Sequence, residues 1–271
     1  MSYPFVKGHG TENDFVLLPD RDGSVHGDLS SSRVRALCDR RAGIGGDGVI
    51  RVIRTAAVPG LPASGAEWFM DYRNADGSLS EMCGNGIRVL ARHLVDAGLA
   101  PAGDLLIATR DGDKAVHVDG AAITVDLGAP TVLGATTIRV GERSWQAQHV
   151  STGNPHAVAF VDDLADAGAL VVEPGFDPAE YPDGVNVEFV VRRGPRHVAM
   201  RVHERGSGET RSCGTGACAV MVASAVADGV GPGSTYRVDV PGGELSVTWT
   251  EGDRLLLTGP AVLVAEGQTD L

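Results

Sequence analysis

Met82-Cys83-Gly84-Asn85-Gly86 and Ser212-Cys213-Gly214-Thr215-Gly216 stand half a chain apart, each followed by a stretch of helical character. They read as one C-G-x-G motif used twice, and so as a half-length unit that has been duplicated. A thiol just before a helix sits beside unpaired backbone N–H groups and the positive end of the helix dipole, which lowers its pKa and arms it. Two such thiols related by internal symmetry can face each other across one bound molecule, thiolate on one side and thiol on the other. That is the equipment for inverting a carbon centre.

The repetition reaches beyond the cysteines. Met70-Asp71-Tyr72-Arg73-Asn74 aligns with Met200-Arg201-Val202-His203-Glu204 at the same offset, which sets Asn74 opposite Glu204. Glu12-Asn13-Asp14-Phe15 is echoed by Gly153-Asn154-Pro155-His156. After Cys83 the apolar residues Ile87, Leu90, Ala91, Leu94 and Val95 form one helical stripe. After Cys213 almost everything from Ala217 to Ala227 is apolar, the pattern of a helix buried on all sides. Gly98 and Gly229 supply left-handed stops. A third helix is expected over 34–41, capped by the serines at 30–32. The remaining segments are short and rich in β-branched residues: 16–18, 48–53, 115–118, 123–127, 185–190, 197–202 and 236–240. Asp119-Gly120 and Gly242-Gly243 read as hairpin turns. Strands outnumber helices, so the expected class is α+β, each half a curled antiparallel sheet closing around its own helix. The boundary is expected near Gly128-Ala129-Pro130, giving domains 1–128 and 129–271.

Composition narrows the partners. With 23 basic and 35 acidic residues the formal net charge is −12, and no basic cluster stands out. Nucleic acid and anionic membrane are therefore excluded as main partners. The N-terminus lacks a signal pattern and no apolar run is long enough to span a bilayer, so a soluble cytoplasmic protein is expected. Cys38, Cys83, Cys213 and Cys218 lack the tight spacing of a zinc site and are expected as thiols, with no metal. Cys38 and Cys218 read as small buried hydrophobes. His149, His197 and His203 read as structural or solvent-facing, and the Gly43–Gly48 loop lacks the lysine and Ser/Thr of a nucleotide-binding loop.

Seven motifs in order resemble the diaminopimelate epimerases: Gly10-Thr11-Glu12-Asn13-Asp14-Phe15, Gly43-Ile44-Gly45-Gly46-Asp47, Asn74-Ala75-Asp76-Gly77-Ser78, Cys83-Gly84-Asn85-Gly86, Gly153-Asn154-Pro155-His156, Gly184-Val185-Asn186, and Glu204-Arg205-Gly206 leading to Cys213-Gly214-Thr215-Gly216. The resemblance implies two pseudo-symmetric β-barrel domains, each around a central helix, an active site in the cleft between them, and a homodimer. It also implies that the last strand returns to the first domain. The implied reaction is pyridoxal-independent epimerisation of LL- to meso-diaminopimelate, in lysine and cell-wall precursor biosynthesis, with no cofactor. By the same resemblance Cys83 and Cys213 are catalytic, and His156 and Glu204 tune them. Asn13, Asn74, Asn154, Asn186 and Arg205 bind substrate together with Glu204 and the helix starts at Gly84, Asn85, Gly214 and Thr215. One departure stands out: many members carry Gln where this chain has Gly48.

The chemistry of the residues agrees. Taking the α-proton from an amino acid is hard without an electron sink, so a thiolate that removes it and a thiol that returns one from the opposite face avoid a free carbanion. Backbone N–H groups at the two helix starts suit the charge that builds on the α-carboxylate, and Arg205 is a fork for the distal carboxylate. Two rival readings use the same thiols. A racemase of proline or histidine would lack any use for a pocket that takes a second zwitterionic head. A thiol sensor closing a Cys83–Cys213 disulfide would leave the asparagines and Arg205 unexplained.

Overall fold

Local alternation of apolar side chains builds most of this chain into strands, and a computed structural model describes residues 2–271. In chain order the elements are β1 (Tyr3–Gly10), β2 (Asn13–Pro19), α1 (Ser31–Cys38), β3 (Gly48–Arg54), β4 (Trp68–Asn74), α2 (Gly84–Asp96), β5 (Gly103–Thr109), β6 (Gly112–Asp119), β7 (Ala122–Asp126), β8 (Thr131–Val140), β9 (Arg143–Ser151) and β10 (Pro155–Phe160). There follow β11 (Asn186–Gly194), β12 (His197–Glu204), β13 (Gly208–Thr210), α3 (Gly214–Ala227), β14 (Ser234–Val240), β15 (Gly243–Trp249), β16 (Leu255–Pro260) and β17 (Val262–Thr269). They form two compact units. The first holds the described residues up to Val125 together with Gly259–Leu271, and the second holds Asp126–Thr258.

The first unit runs β17-β1-β2-β3-β4-β5-β6-β7 across its sheet. The second runs β8-β9-β10-β11-β12-β14-β15-β16, with the short β13 beside β12. Strand for strand the pairings match, so the duplication read from the motifs is a duplication of topology. Each sheet is mainly antiparallel, but two neighbours in each are parallel: β2–β3 and β4–β5 in the first, β10–β11 and β12–β14 in the second. Parallel neighbours need a crossover, and α1, α2 and α3 each ride in one. The second β-strand of the chain thus leads through α1 to its parallel partner, and Val262–Thr269 pairs along Tyr3–His9.

The crossovers that carry α2 and α3 lay each helix inside its own sheet. Helix α2 touches β1, β2, β3, β4, β6 and β17, and α3 touches β9, β10, β11, β12, β14 and β15. A sheet that meets one helix with so many of its strands is curled around it. The single apolar stripe expected of α2 understates this enclosure: Arg88, Val89 and His93 are buried along with Ile87, Leu90, Ala91 and Leu94. Helix α3 is buried from Gly216 to Ala225, as its unbroken apolar sequence requires. Both helices stop on glycines in the left-handed region, Gly98 at φ 64° and Gly229 at φ 68°. Helix α1 begins on the Ser30 cap, whose Oγ accepts from the Arg33 N–H, and ends earlier than expected, at Cys38. There Asp39 Oδ1 takes the N–H groups of Arg41 and Ala42 at 2.7 Å each and turns the chain away. None of the helices is long and apolar enough to cross a membrane, among the described residues.

The inner helix of the second unit should be the most sensitive element of its core. Met221→Ala, at a fully buried position, is expected to cost about 2–5 kcal/mol. Val226→Ala, near the exposed end of the same helix, should stay within about 0.5 kcal/mol. Urea midpoints of the two variants check the contrast.

Candidate active site

Each inner helix starts on its cysteine. Cys83 is the N-cap of α2, in an extended conformation, and its Sγ accepts from the Gly86 N–H at 3.4 Å. Cys213 caps α3 the same way, with Sγ accepting from the Gly216 N–H at 3.3 Å. Sulfur here takes the place of the usual Ser or Asp oxygen. Cys83 is half-buried and Cys213 buried.

In the first unit a chain of amides leads to the cap. The β1–β2 turn passes through Thr11 and Glu12, both left-handed, and delivers Asn13 at the start of β2. Asn13 Nδ2 donates to Asp47 Oδ2 at 2.7 Å, and its Oδ1 accepts from Asn85 Nδ2 at 3.1 Å. Asn85 Oδ1 in turn accepts from the buried Arg88 guanidinium at 2.7 Å. A guanidinium can only donate and a carboxylate only accept. The two charged ends therefore set the direction of both amides, from Arg88 through Asn85 and Asn13 to Asp47. The result is an amide oxygen, Asn13 Oδ1, held 3.8 Å from Cys83 Sγ as an acceptor for the thiol. Arg40 steadies the far end by pairing with both Asp47 and Asp14. Asn74 is placed differently: its Nδ2 donates to Ser78 Oγ at 3.0 Å, within the turn that follows β4.

In the second unit the equivalent chain is charged. His156, fully buried on β10, has Nδ1 2.7 Å from Glu188 Oε1 and Nε2 3.0 Å from Asn154 Oδ1. Thr152 Oγ1 lies 3.5 Å from Asn154 Oδ1 and 3.4 Å from the Thr215 carbonyl, tying that loop to the first turn of α3. Glu204 ends β12, accepts from Thr210 Oγ1 and from the Cys213 thiol, and has its carboxyl pushed up to about 7, chiefly by burial. The Thr215 hydroxyl is 3.5 Å from Cys213 Sγ. Asn186 uses both ends of its amide inside the protein, donating to the Pro155 carbonyl at 3.2 Å and accepting from the Arg205 N–H at 3.0 Å. The Arg205 side chain is exposed, with Nη1 donating to the Asp183 carbonyl at 2.9 Å.

The helix start was expected to lower the thiol pKa, and for Cys213 the opposite holds. Burial, then the charges of Glu204 and Glu188, drive it well above its ordinary value. The end of a helix carries about half an elementary charge, too little against desolvation and two nearby carboxylates. Cys213 therefore rests as a thiol. Cys38 is likewise raised by burial, to about 11, as befits a buried structural cysteine.

Gly48 explains itself. A Cβ there would stand 2.5 Å from both the Arg73 carbonyl oxygen and Tyr72 Cε2, so no side chain fits, and the Gln common elsewhere is excluded by the neighbouring strand and the Tyr72 ring.

Four polar residues of these networks are assigned no role in the motif reading. Arg88 stands three residues after Asn85, a spacing that puts the two on one helix face, but the apolar stripe beside it is the stronger signal. Glu188 interrupts the apolar run from Val187 to Val191, and a charge there is the sequence signal it gives. Asp47 and Thr152 lie in loops whose partners are distant in sequence.

A family model described as Diaminopimelate epimerase matches residues 5–133 and 148–264. The chain belongs to that family. Among its relatives, the diaminopimelate epimerase of Streptomyces coelicolor is 59% identical, the match covering 98% of this chain and 95% of the relative. That of Mycolicibacterium smegmatis is 48% identical, covering 98% and 96%. The fold is shared more widely. A Bacillus anthracis phenazine biosynthesis protein of the PhzF family superposes with a TM-score of 0.72 at 16% identity, covering all of both chains. A hydroxyproline epimerase from Agrobacterium vitis, solved with bound trans-4-hydroxy-L-proline, gives 0.66 at 15% identity over 99% of this chain and 92% of that one.

Two outcomes follow from the site. Gly48→Gln should destabilise the protein by about 1–3 kcal/mol or more, read as a fall in Tm with no compensating gain in ligand-induced stabilisation. Glu204 supplies a pH signature. Its carboxyl ionises at about 7 in the folded protein against 4.5 ordinarily, so the unfolded chain loses this proton first. Its unfavourable contribution therefore grows as pH rises from about 4.5 to about 7 and is constant above. Glu204→Gln should gain stability relative to the parent across that window, and urea midpoints at pH 5 and pH 8 measure it.

Proposed function

We propose that this protein converts LL-diaminopimelate to meso-diaminopimelate, using Cys83 and Cys213 as the paired acid and base and no cofactor. The observation that carries the reading is the cysteine cap built twice, with matching sulfur–glycine geometry, on helices enclosed by matching sheets. Inversion at carbon needs one group to take the α-proton and another to return a proton to the opposite face. A Cys213 that rests as a thiol suits the returning role, and Cys83 takes the complementary role of base. In the reverse direction the roles exchange.

The backbone N–H groups of Gly84 and Asn85, and of Gly214 and Thr215, stabilise the charge that builds on the α-carboxylate. Asn13, Asn74, Asn154 and Asn186 orient the substrate, Asn186 by placing Arg205, whose exposed guanidinium receives the distal carboxylate as a fork. His156 and Glu204 set the proton state of the thiols. An acidic protein concentrates what positive potential it has at such helix starts and at Arg205. On the family resemblance, the working form is a homodimer in the cytoplasm, serving lysine and cell-wall precursor synthesis.

Chiral chromatography of LL- and meso-diaminopimelate incubated with the fully reduced protein tests the reading, with proline and histidine as substrates that should not react. Cys83→Ala and Cys213→Ala should each lower epimerisation by about 10²–10⁴-fold. Robust turnover by either single variant would overturn the two-thiol mechanism, and turnover of proline instead would move the substrate to the rival racemase class.

A further inference from the structure

We infer that Glu188 is a positioning residue: it clamps His156 at Nδ1 and supplies the buried charge against which the Cys213 thiol works. Strand alternation puts it there. Val187 and Phe189 face an apolar cluster with Ala157 and Ala159, which turns Glu188 to the other side of β11, the side of α3. The closeness of α3 is measured by Gly216, where a Cβ would stand 2.7 Å from Glu188 Oε1. The third residue of this helix is thus a glycine that leaves room for a carboxylate. At the matching position of the first unit, a Cβ on Gly86 would meet Met70 Cε at 2.8 Å and Ile50 Cδ1 at 3.2 Å, both apolar. The two copies of the motif therefore share a glycine for different reasons, and only the second encloses an acid.

Glu188 is fully buried. Its Oε1 holds His156 at 2.7 Å, and its Oε2 has no hydrogen-bond partner among the described residues. A buried carboxylate left half satisfied is costly unless another interaction offsets it. Here the imidazole and the positive end of α3 offset the cost, and the Glu188 carboxylate lies close enough to the Cys213 cap to act on the thiol. A carboxylate on Nδ1 makes that nitrogen the donor and points Nε2 at Asn154. The charged groups that bear on Cys213 from the surrounding strands are Glu204 on β12 and Glu188 on β11, with His156 on β10 held against Glu188. Glu188 bears on both others, and its charge opposes ionisation of Glu204 as well as of the thiol. With that charge in place Cys213 holds its proton until a substrate needs it.

The part of this inference that concerns turnover rests on the epimerase reading; the thiol and imidazole measurements need no substrate. Two variants separate the roles. Glu188→Gln keeps an acceptor for His156 Nδ1 and removes the charge, whereas Glu188→Asp keeps the charge and loses the reach. Alkylation of Cys213 by iodoacetamide, followed by mass spectrometry of its peptide across pH, should move to lower pH by about one unit in Glu188→Gln and stay near the parent in Glu188→Asp. On diaminopimelate, Glu188→Gln should lose kcat about tenfold, with KM within about threefold, because the fault lies in the proton state and not in binding. An alkylation profile of folded Glu188→Gln that superimposes on the parent would overturn the proposal. Nitrogen-15 NMR of the unmodified parent decides it if neither variant folds: His156 Nδ1 should be protonated, and an unprotonated Nδ1 would refute the clamp. A parent that fails to turn over diaminopimelate while passing the alkylation and NMR tests would defeat the substrate reading and leave the role of Glu188 standing.

Discussion

A helix that begins inside a curled sheet must find partners for its first N–H groups without water, and everything else in this protein follows from the choice of sulfur for that task. The cap sets Cys83 and Cys213 in extended conformations with the thiol folded back over the first turn. That demands small residues around it. At Gly86 and Gly216 any larger residue would have to displace a neighbouring side chain, Met70 in the first unit and Glu188 in the second. The same requirement bears on the crossovers: in each unit one parallel pair, β4–β5 or β12–β14, is joined by the connection that delivers the inner helix into the sheet. Thiol, glycine, buried helix and strand order form one constraint rather than four features.

Two copies of the cap have drifted apart electrostatically while keeping their geometry. In the first unit a chain of neutral amides, polarised by Arg88 at one end and Asp47 at the other, presents an oxygen to the thiol. In the second two carboxylates lie beside it, one of them holding a histidine. The distances from sulfur to the capping N–H are nearly the same, 3.4 and 3.3 Å, so the backbone cannot be what distinguishes the thiols. Their neighbours are. A reaction that asks one group to give a proton and another to take it has a use for that asymmetry, and duplication supplies two frames in which to build it.

Gly48 shows how a departure from a family pattern can be structural in origin. In sequence it reads as a lost polar contact. In the fold it is a position closed to a side chain by the Arg73 carbonyl and the Tyr72 ring, so the change is bound up with how β3 and β4 approach one another here.

Sequence alone determined a good deal of this protein. The doubled Cys-Gly-x-Gly motif, the stops at Gly98 and Gly229 and the unbroken apolar run of α3 are local signals, and local signals survive in one dimension. The seven motifs led to the family for the same reason. Strands with weak alternation, such as β8 and β17, give no clear local signal, and neither do the parallel pairings, because partner choice is a property of crossovers and not of any one segment. Tertiary structure alone decided the burial of Arg88 and Glu188, the polarity of the amide chain and the direction of the Cys213 shift. A helix start announces a positive field wherever it occurs in sequence. Whether that field prevails depends on charges brought beside it by strands far away along the chain, and in the second unit two carboxylates and the loss of water outweigh it.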